Sequence, residues 1–491
     1  MKRSLIFITL FFLIITFVGC KKFLNRIPDS QYSLAGAYKT ESDFQQAIGG
    51  VYAQLQVLYQ SNTAHYRAII ARGDDIDPSA GYLEGLPQFT NTSNNTRLSA
   101  AWDLYWRIIY LSNLIIDKVD EGSFTNAEMQ KYIKGEAFML RAYSYWSLGW
   151  QFGGMPIIDR TMSEKETKQV PRSTQKETFD FASADYSKAI EMLPQQWVGS
   201  NLGRATKYAA EGMLARLYMF QSEFSKAEPL LIDIINSNKH KLEEKYLDCF
   251  TDSYDNGMER VWEVQFTGGQ TGEGQAFATG LLPEAKMVPL VIPFSGFSTA
   301  MRVSDNLYLS YEAGDLRRDV STIKNFVVGG VLDTTTVYIT KYSHYDQYTP
   351  KTQSDWANNL PILRYTDVLM MYAETLNELG YVANGKAFDI LNNVRNRAAL
   401  NPLTSAELPD QGTFRDALRT ERRHEFAFEG LRWMDIIRWS IAKDVMNKFF
   451  QSPKNGGGKY LMEDFQKIFA IPFGTMSAYN DESIMPQNPG Y

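Results

Sequence analysis

The chain has 491 residues, with 50 lysines and arginines against 56 aspartates and glutamates, a formal net charge of −6 at pH 7. This acidic balance excludes proteins that bind nucleic acid through a broad basic face. Hydrophobic residues make up 44% of the chain, which predicts a folded globular body with a large core rather than a disordered protein.

The first 20 residues have the pattern of an export signal. Two cationic residues precede an apolar run over residues 5–18, and Gly19 stands directly before Cys20. As a helix this run would be about 21 Å long, shorter than the roughly 30 Å hydrocarbon core, so it does not predict a permanent membrane span. We expect a signal peptide at residues 1–19 and a lipid on the Cys20 thiol; the alternative is an ordinary signal that happens to contain a cysteine. Only Cys249 would then remain as a thiol, so we expect no intramolecular disulfide.

Apolar periodicity predicts four helix pairs after a polar, lipidated tether at residues 20–40. In the clearest pair, at 205–236, small Ala215 and Ala227 flank a turn at 221–224, which is the pattern of a tetratricopeptide hairpin. The other predicted pairs are 44–58 with 102–119, 130–148 with 179–193, and the two halves of 367–399.

The middle of the chain has a different pattern. Residues 261–266 and 334–341 alternate between apolar and polar side chains, which predicts strands, and residues 268–280 form a glycine-rich loop. We therefore predict a mainly α fold with tetratricopeptide-like helix pairs plus a loop-rich region with short strands. The expected divisions are a helical region at 41–250, an irregular region at 251–355 and a C-terminal region at 356–491.

The densest charge cluster is near the C terminus. Glu421, Glu425 and Glu429 recur every four residues and so share one helix face. Two carboxylates on one face are a candidate acid and base pair. However, arginines at positions 422, 423 and 432 are close enough to neutralise them, so the pattern favours structural ion pairs over catalysis.

Three shorter patterns partly match known metal or phosphate sites. Asp74, Asp75 and Asp77 offer carboxylates for calcium, but they lack the glycine and terminal glutamate of a known calcium loop, which favours a solvated or capping cluster. Residues 380–387 nearly match a phosphate-binding loop, but the serine or threonine is missing, which favours a turn between helices. The four histidines are too widely spaced for a zinc motif. We expect neither a metal site nor a cofactor.

An ordered series of motifs runs through nearly the whole chain. It comprises Cys20 with Phe23, Leu24 and Pro28, then residues 50–52, 72–75, Trp102 with Tyr105, Ile109 and Asn113, and residues 135–137, 141–142, 152–156, 203–207, 364–368, 372–374, 421–439 and 487–491. By these motifs the chain resembles the SusD/RagB family of outer-membrane nutrient-binding lipoproteins.

The resemblance implies a helical scaffold and a lipid anchor, such as palmitate, in the outer membrane with the protein facing the cell exterior. It also implies a partner, a SusC-type TonB-dependent transporter on which the lipoprotein sits as a hinged lid. Members of the family bind glycans or, in some cases, peptides, and are not enzymes.

Ligand residues are expected in loops, where aromatic rings stack on sugars and carboxylate or amide groups bind hydroxyls. The loop between Arg72 and the helix of Trp102 lies where family members often place such residues. The candidates are Asp75, Tyr82, Phe89, Asn94 and Arg97 in this first loop, Phe294 and Phe297 in a second stretch, and Tyr345, Tyr348 and Trp356 in a third.

The leading hypothesis is a non-catalytic lipoprotein that binds nutrient oligomers, with glycan preferred, and delivers them to the transporter. A peptide-binding protein of the RagB type is one alternative, since these loops contain few tryptophans. Two others are a structural lid without its own ligand site and a helical glycosidase that uses Glu421 and Glu425 or the Asp74–Asp77 cluster.

Overall fold

The computed structural model describes residues 38–60, 65–79, 83–282, 287–288, 301–328 and 330–491. The predicted signal peptide, Cys20 and most of the predicted tether lie outside these residues. The helices are α1 (Glu41–Tyr59), α2 (His65–Ala71), α3 (Thr96–Lys118), α4 (Ala127–Phe152), α5 (Glu164–Thr167), α6 (Gln175–Met192), α7 (Lys207–Phe220), α8 (Phe224–Asn236), α9 (Asp305–Tyr308), α10 (Leu316–Ser321), α11 (Tyr365–Leu379), α12 (Lys386–Arg397), α13 (Gln411–Glu425), α14 (Arg432–Arg438), α15 (Ala442–Gln451) and α16 (Phe473–Tyr479). The strands are β1 (Arg260–Val264), β2 (Met287–Val288), β3 (Thr322–Ile323), β4 (Phe326–Val328), β5 (Val331–Asp333), β6 (Tyr338–Ile339) and β7 (Leu360–Arg364).

The four predicted helix pairs are confirmed. Helix α1 packs on α3, α4 on α6, α7 on α8 and α11 on α12, and further contacts between α6 and α7 and between α8 and α11 join the pairs into one stack. The near-match to a phosphate-binding loop falls between Leu379 and Lys386, where α11 ends and α12 begins, so it is the predicted turn. The fold is mainly α, as the sequence predicts.

The short strands differ in detail from the prediction. Strand β1 pairs antiparallel with β7, and all five residues of β1 are buried, so the predicted alternation does not mark a solvent face. The predicted strand at 334–341 shortens to β6 (Tyr338–Ile339), which pairs with β3. Asp333 explains this, because its side chain accepts hydrogen bonds from the backbone N–H groups of Thr335 and Thr336 and turns the chain there.

The predicted ion pairing around α13 is confirmed as a buried network. Arg364 bonds Glu425 at 3.0 Å, Glu429 at 2.8 Å and Glu259 at 2.6 Å, and all four side chains are almost fully buried. Glu421 is bound by Arg317 and by Arg395. The ion pairs of Glu421, Glu425 and Glu429 therefore connect the end of α13 to β7 and to the middle region.

A second part of this network joins α7, α11 and α13. Asp367 accepts from Arg216 and from Arg422, each at 2.7 Å. Burial by itself would raise the pKa of Asp367, but the two guanidinium groups outweigh it and bring the pKa to about 2. Such a carboxylate stays charged at neutral pH and does not act as a tuned acid or base.

No helix within the described residues is both long and apolar enough to cross a membrane. Tyr38 to Thr40, the end of the predicted tether, contact the helical body: the Tyr38 ring packs edge-on against Phe44, and Lys39 accepts a hydrogen bond from the backbone of Ser123. The Thr40 side chain caps α1. The chain thus enters the fold beside the start of α1.

Candidate functional site

The first predicted ligand loop begins with two buried aspartates. The Asp74 carboxylate is bound by Arg432 at 2.7 Å and 3.0 Å, and Asp75 is bound by Arg423 at 2.8 Å. Burial would raise the pKa of Asp74, but Arg423 and Arg432 outweigh it and bring the pKa to about 2. For Asp75, burial together with the Asp74 charge prevails over Arg423, and the pKa is raised.

These contacts account for the aspartate cluster without a metal. The Asp77 carboxylate accepts from the backbone N–H of Ser79, which is the geometry of an Asx turn. Within the described ranges, no group of three or more His, Cys, Asp or Glu side chains is arranged to hold a metal ion. Asp74 and Asp75 are buried and ion-paired, so the prediction of a solvated cluster is wrong for these two, whereas Asp77 fits the capping interpretation.

The structure brings the first loop against residues 302–304. The backbone N–H of Asp77 donates to Arg302, and that of Ser304 donates to Asp75, both at 2.9 Å. The backbone N–H of Val303 donates to the carbonyl oxygen of Val337, also at 2.9 Å, and these three bonds form a short ladder. Three segments that are far apart in sequence therefore lie side by side. Phe294 and Phe297 fall outside the described residues, as does Tyr82.

A polar cleft of about 680 Å³ opens next to this ladder. The guanidinium of Arg423 links it to the loop, since it bonds Asp75 and, at 2.8 Å, the side-chain oxygen of Asn306. The side chains around the cleft are charged, amide or hydroxyl groups with few apolar neighbours: Asp74, Asp305, Asn306, Ser310, Arg423, Arg432, Lys448, Lys454 and Asn455, beside Leu309, Val445 and Phe449. Such a lining offers both donors and acceptors to a hydroxyl-rich ligand.

Phe89 lies in the core rather than at a ligand surface. Its ring is 3% exposed, packs edge-on against Trp433 and Phe450, and has the Arg72 guanidinium 3.7 Å above its centre. Arg72 in turn donates to Leu86 and to the side chain of Asn91. The expectation that Phe89 stacks on a ligand does not fit this burial, because its faces are occupied; the ring fixes the loop instead.

The end of the same loop is more open. Asn94 is exposed and Arg97 is half-buried, in the first turn of α3. The side chain of Asn95 caps that helix by accepting from the backbone N–H groups of Arg97 and Leu98. The cap fixes where the loop ends and where Asn94 and Arg97 stand.

The third stretch is held against the glycine-rich loop. Trp356 is fully buried and donates its indole N–H to Thr279 at 2.7 Å, so it does not offer a face to solvent. Tyr345 packs edge-on against that indole and is half-buried. Tyr348 is also half-buried and donates its hydroxyl to Asp355. The two tyrosines are therefore the accessible members of this stretch.

The polar groups of the cleft come from distant segments, and the sequence pattern did not predict that they lie together. Arg423 was grouped with the scaffold charges, although it is also the residue that connects the first loop to Asn306. Asn306 and Lys454 gave no signal, because neither belongs to a motif and only folding brings them together.

Glu421 and Glu425, one pair of carboxylates in the glycosidase hypothesis, are both ion-paired. Glu421 accepts from Arg317 and Arg395, and Glu425 accepts from Arg364 and other arginines. Both glutamates are at most 2% exposed. A catalytic acid and base must reach the substrate, and neither carboxylate does so here.

Comparison with known protein families gives matches at both ends of the chain. A family model described as the SusD family matches residues 320–491. A second model, described as starch-binding associating with outer membrane, matches residues 22–219. SusD-like protein P2 of Formosa agariphila is 27% identical over 520 residues, which is 99% of this chain and 99% of that protein. A SusD-like protein of Bacteroides ovatus is 25% identical over 493 residues, covering 90% of this chain and 83% of the other.

Solved structures share the fold. Surface glycan-binding protein A from Bacteroides fluxus superposes with a TM-score of 0.79 at 24% identity, covering 92% of this chain and all of that one. Surface glycan-binding protein A from Bacteroides thetaiotaomicron, solved in complex with laminarihexaose, superposes with a TM-score of 0.77 at 20% identity, again with 92% and 100% coverage. At these identities the likeness concerns the fold.

Proposed function

The chain belongs to the SusD-like family, and from that premise we propose that it is an outer-membrane lipoprotein that binds nutrient oligosaccharides at the cell surface. It passes them uncleaved to a SusC-type TonB-dependent transporter. The observation that carries the proposal is the pair of family matches at 22–219 and 320–491, the first of which is described as starch-binding and associated with the outer membrane.

The geometry of the first loop supports a binding role. A polar cleft of about 680 Å³ lies beside it and carries carboxylate, amide, hydroxyl and cationic groups. We propose that Asn94, Arg97, Tyr345 and Tyr348 reach the ligand, because their side chains are exposed or half-buried. The ligand roles of Tyr82, Phe294 and Phe297 stay predictions from the sequence.

The charge pairing supports non-catalytic action. Ion pairs to arginine hold the hallmark carboxylates, and an acid that must exchange protons with substrate would need one of them open. The sugar is therefore bound and released unchanged.

Binding is tested by titrating the purified protein with a panel of neutral oligosaccharides that includes laminarihexaose, and with peptides of similar length. We expect heat of binding from at least one saccharide, and weaker binding in Asn94→Ala and Tyr345→Ala variants than in a Lys176→Ala control, whose side chain lies on an exposed surface pair. Binding of peptides alone would favour a RagB-type role, and silence from every ligand would favour a structural lid. New reducing ends after incubation would favour an enzyme.

Anchoring and the partner need separate tests. Mass spectrometry of the protein isolated from the outer membrane should find an acylated cysteine at position 20, and a Cys20→Ala variant should leave that fraction. Affinity purification of the intact protein should recover a TonB-dependent transporter. An unacylated amino terminus would contradict the anchor, while recovery without any transporter would contradict delivery.

A further inference from the structure

A second cleft lies along helix α3, away from the polar cleft. It has a volume of about 320 Å³, within the range of small-ligand pockets. The lining of the α3 cleft, as we call it, is mainly apolar and includes Trp102, Trp106, Ile109, Tyr110, Ile158, Met162, Tyr479 and Met485, with Asp103 and Arg160 among its polar residues. Tyr110 is 14 residues beyond the first residue of α3, which places it about 21 Å along the helix from the end of the first loop.

Its aromatic residues are unusually open for this molecule. Of the large hydrophobic side chains that are exposed in the described part of the chain, two are aromatic, Tyr110 at 44% and Phe473 at 59%. Tyr110 lies in the α3 cleft, and Phe473 begins α16, the helix that supplies Tyr479 to it. Trp106 is half-buried, with Tyr145 against it edge-on. Trp106, Tyr110 and Tyr479 therefore share one cleft, whereas Phe473 lies at the first loop, where its backbone N–H donates to Ser93.

The spacing along α3 explains how the rings and a carboxylate come together. Asp103, Trp106 and Tyr110 are three and four residues apart and so form one stripe on the helix. The buried face of α3 is a different stripe, which contains Trp102, Tyr105 and other core residues. Trp106 still packs against Trp102 and Tyr145, and Trp102 also lines the α3 cleft, so Asp103 and Tyr110 are the exposed members of the outer stripe.

The polar groups of the α3 cleft have few partners in the protein. Within the described ranges, the Asp103 carboxylate and the Tyr110 and Tyr479 hydroxyls make no hydrogen bond or ion pair with another residue. The Arg160 guanidinium pairs with the exposed neighbouring carboxylate of Asp159, at 3.3 Å, and also interacts electrostatically with exposed Glu166. Asp103 is exposed, and partial desolvation at the cleft raises the pKa of its carboxyl.

We propose that the α3 cleft is a second saccharide-binding site, in which a neutral sugar ring stacks on Trp106 and Tyr110 while its hydroxyls bond Asp103 and Arg160. The inference rests on the proposed glycan-binding function and extends it to a surface that the ligand loops do not include. A sugar suits this lining because it has an apolar C–H face and a rim of hydroxyls that both donate and accept.

The mixed lining argues against an apolar protein partner. A hydrophobic surface laid on the rings would remove the Asp103 carboxylate from water without a hydrogen bond, which costs free energy. Sugar hydroxyls would replace the lost water instead. Arg160 is already paired with Asp159, so the cleft carries no excess positive charge, which argues against an anionic saccharide.

The test compares variants of the purified full chain in calorimetric titrations with laminarihexaose and the other neutral oligosaccharides of the panel. We expect two binding events per chain in the wild type. Tyr110→Ala should weaken one of them about tenfold, a change of about 1.4 kcal/mol in binding free energy, because the variant removes a stacking ring. Asp103→Asn, which keeps the side-chain shape, should weaken the same event and leave the other unchanged.

The controls separate this inference from the proposed function. Tyr372→Ala removes a half-buried helical tyrosine from α11, outside both clefts, and should change neither event. The loop variants Asn94→Ala and Tyr345→Ala should weaken only the event that Tyr110→Ala spares. Thermal unfolding checks that each variant remains folded.

Three results would overturn the inference. A single saccharide-binding event that Tyr110→Ala and Asp103→Asn leave unaltered removes the α3 cleft as a site but keeps the proposed function. The absence of any saccharide binding by the wild type removes both. A third result, loss of transporter recovery in Tyr110→Ala with unchanged saccharide titrations, would assign the α3 cleft to a protein partner and overturn the saccharide site.

Discussion

The buried network around α13 and the α3 cleft both contain carboxylates, guanidinium groups and aromatic rings, but they differ in how these groups are paired. In the network, Arg364 bonds three carboxylates and has the Phe426 ring 5.0 Å from its guanidinium carbon. In the cleft, Asp103 has no such partner in the described structure and Tyr110 is 44% exposed. The same residue types thus serve a scaffold where they satisfy each other and a ligand where they do not.

The difference follows from the free energy of burying charge. A charge that is removed from water must be compensated within the protein, whereas a charge at a cleft keeps its water until a ligand replaces it. Pairing, rather than residue type, therefore separates the two roles in this molecule, and each prediction below tests one side of that separation.

The largest effect is expected from Arg364→Ala in the network. It leaves the buried carboxylates Glu259, Glu425 and Glu429 with fewer partners, and we expect a loss of about 3 to 5 kcal/mol in the free energy of unfolding, measured by chemical denaturation. Arg318→Ala, which removes an exposed pair with a neighbouring aspartate, is the matched control and should change it by less than about 1 kcal/mol. Equal losses would mean that burial does not distinguish the pairs.

Acid should weaken the same network. The folded pKa of Asp367 is about 2, below its ordinary value of 3.8, so its stabilising contribution is present above the ordinary value and is lost as pH falls toward 2. This difference corresponds to about 2 kcal/mol. Unfolding free energies measured between pH 5 and pH 2 should therefore fall more steeply in the wild type than in Asp367→Asn. Parallel curves would contradict the assignment.

A smaller effect is expected where the network meets the first ligand loop. Arg423→Ala removes the partner of buried Asp75 and the bond to Asn306, which should cost about 1 to 2 kcal/mol and speed hydrogen exchange at the Asp77 and Ser304 amides. Lys454→Ala, on the same polar cleft but with an exposed pair, should leave that exchange unchanged. Exchange that stays slow in Arg423→Ala would show that the ladder holds the loop without this arginine.

The smallest effect on stability is expected in the α3 cleft. Asp103→Asn should change the free energy of unfolding by less than about 0.5 kcal/mol, because no partner in the described chain loses a bond. The same variant should weaken saccharide binding, so stability and affinity move separately. A loss of stability as large as that of Arg423→Ala would indicate that Asp103 belongs to the scaffold.

Much of the fold could be predicted from the chain alone, because helical periodicity is a local signal. The four pairs and the turn at 380–387 were identified from patterns within single segments. The side chains that remain accessible were harder to predict. Phe89 and Trp356 were candidates by residue type and loop position, yet packing against Trp433 and bonding to Thr279 make them core residues. The outer stripe of α3 was present in the sequence, but the landmarks that drew attention there were those of its buried face.

The sequence by itself determined the helix pairs, the scaffold role of the charges near Glu421 and the resemblance on which the function rests, since each depends on residues that are neighbours in the chain or recur in a fixed order. Only the tertiary structure decided which polar and aromatic groups remain open, because that depends on segments far apart in sequence. Arg423 meets Asp75 across 348 positions, and Tyr479 reaches the cleft of Tyr110 only after the C-terminal segment has folded back onto α3. Burial and pairing are properties of the packed molecule, and no local pattern records them.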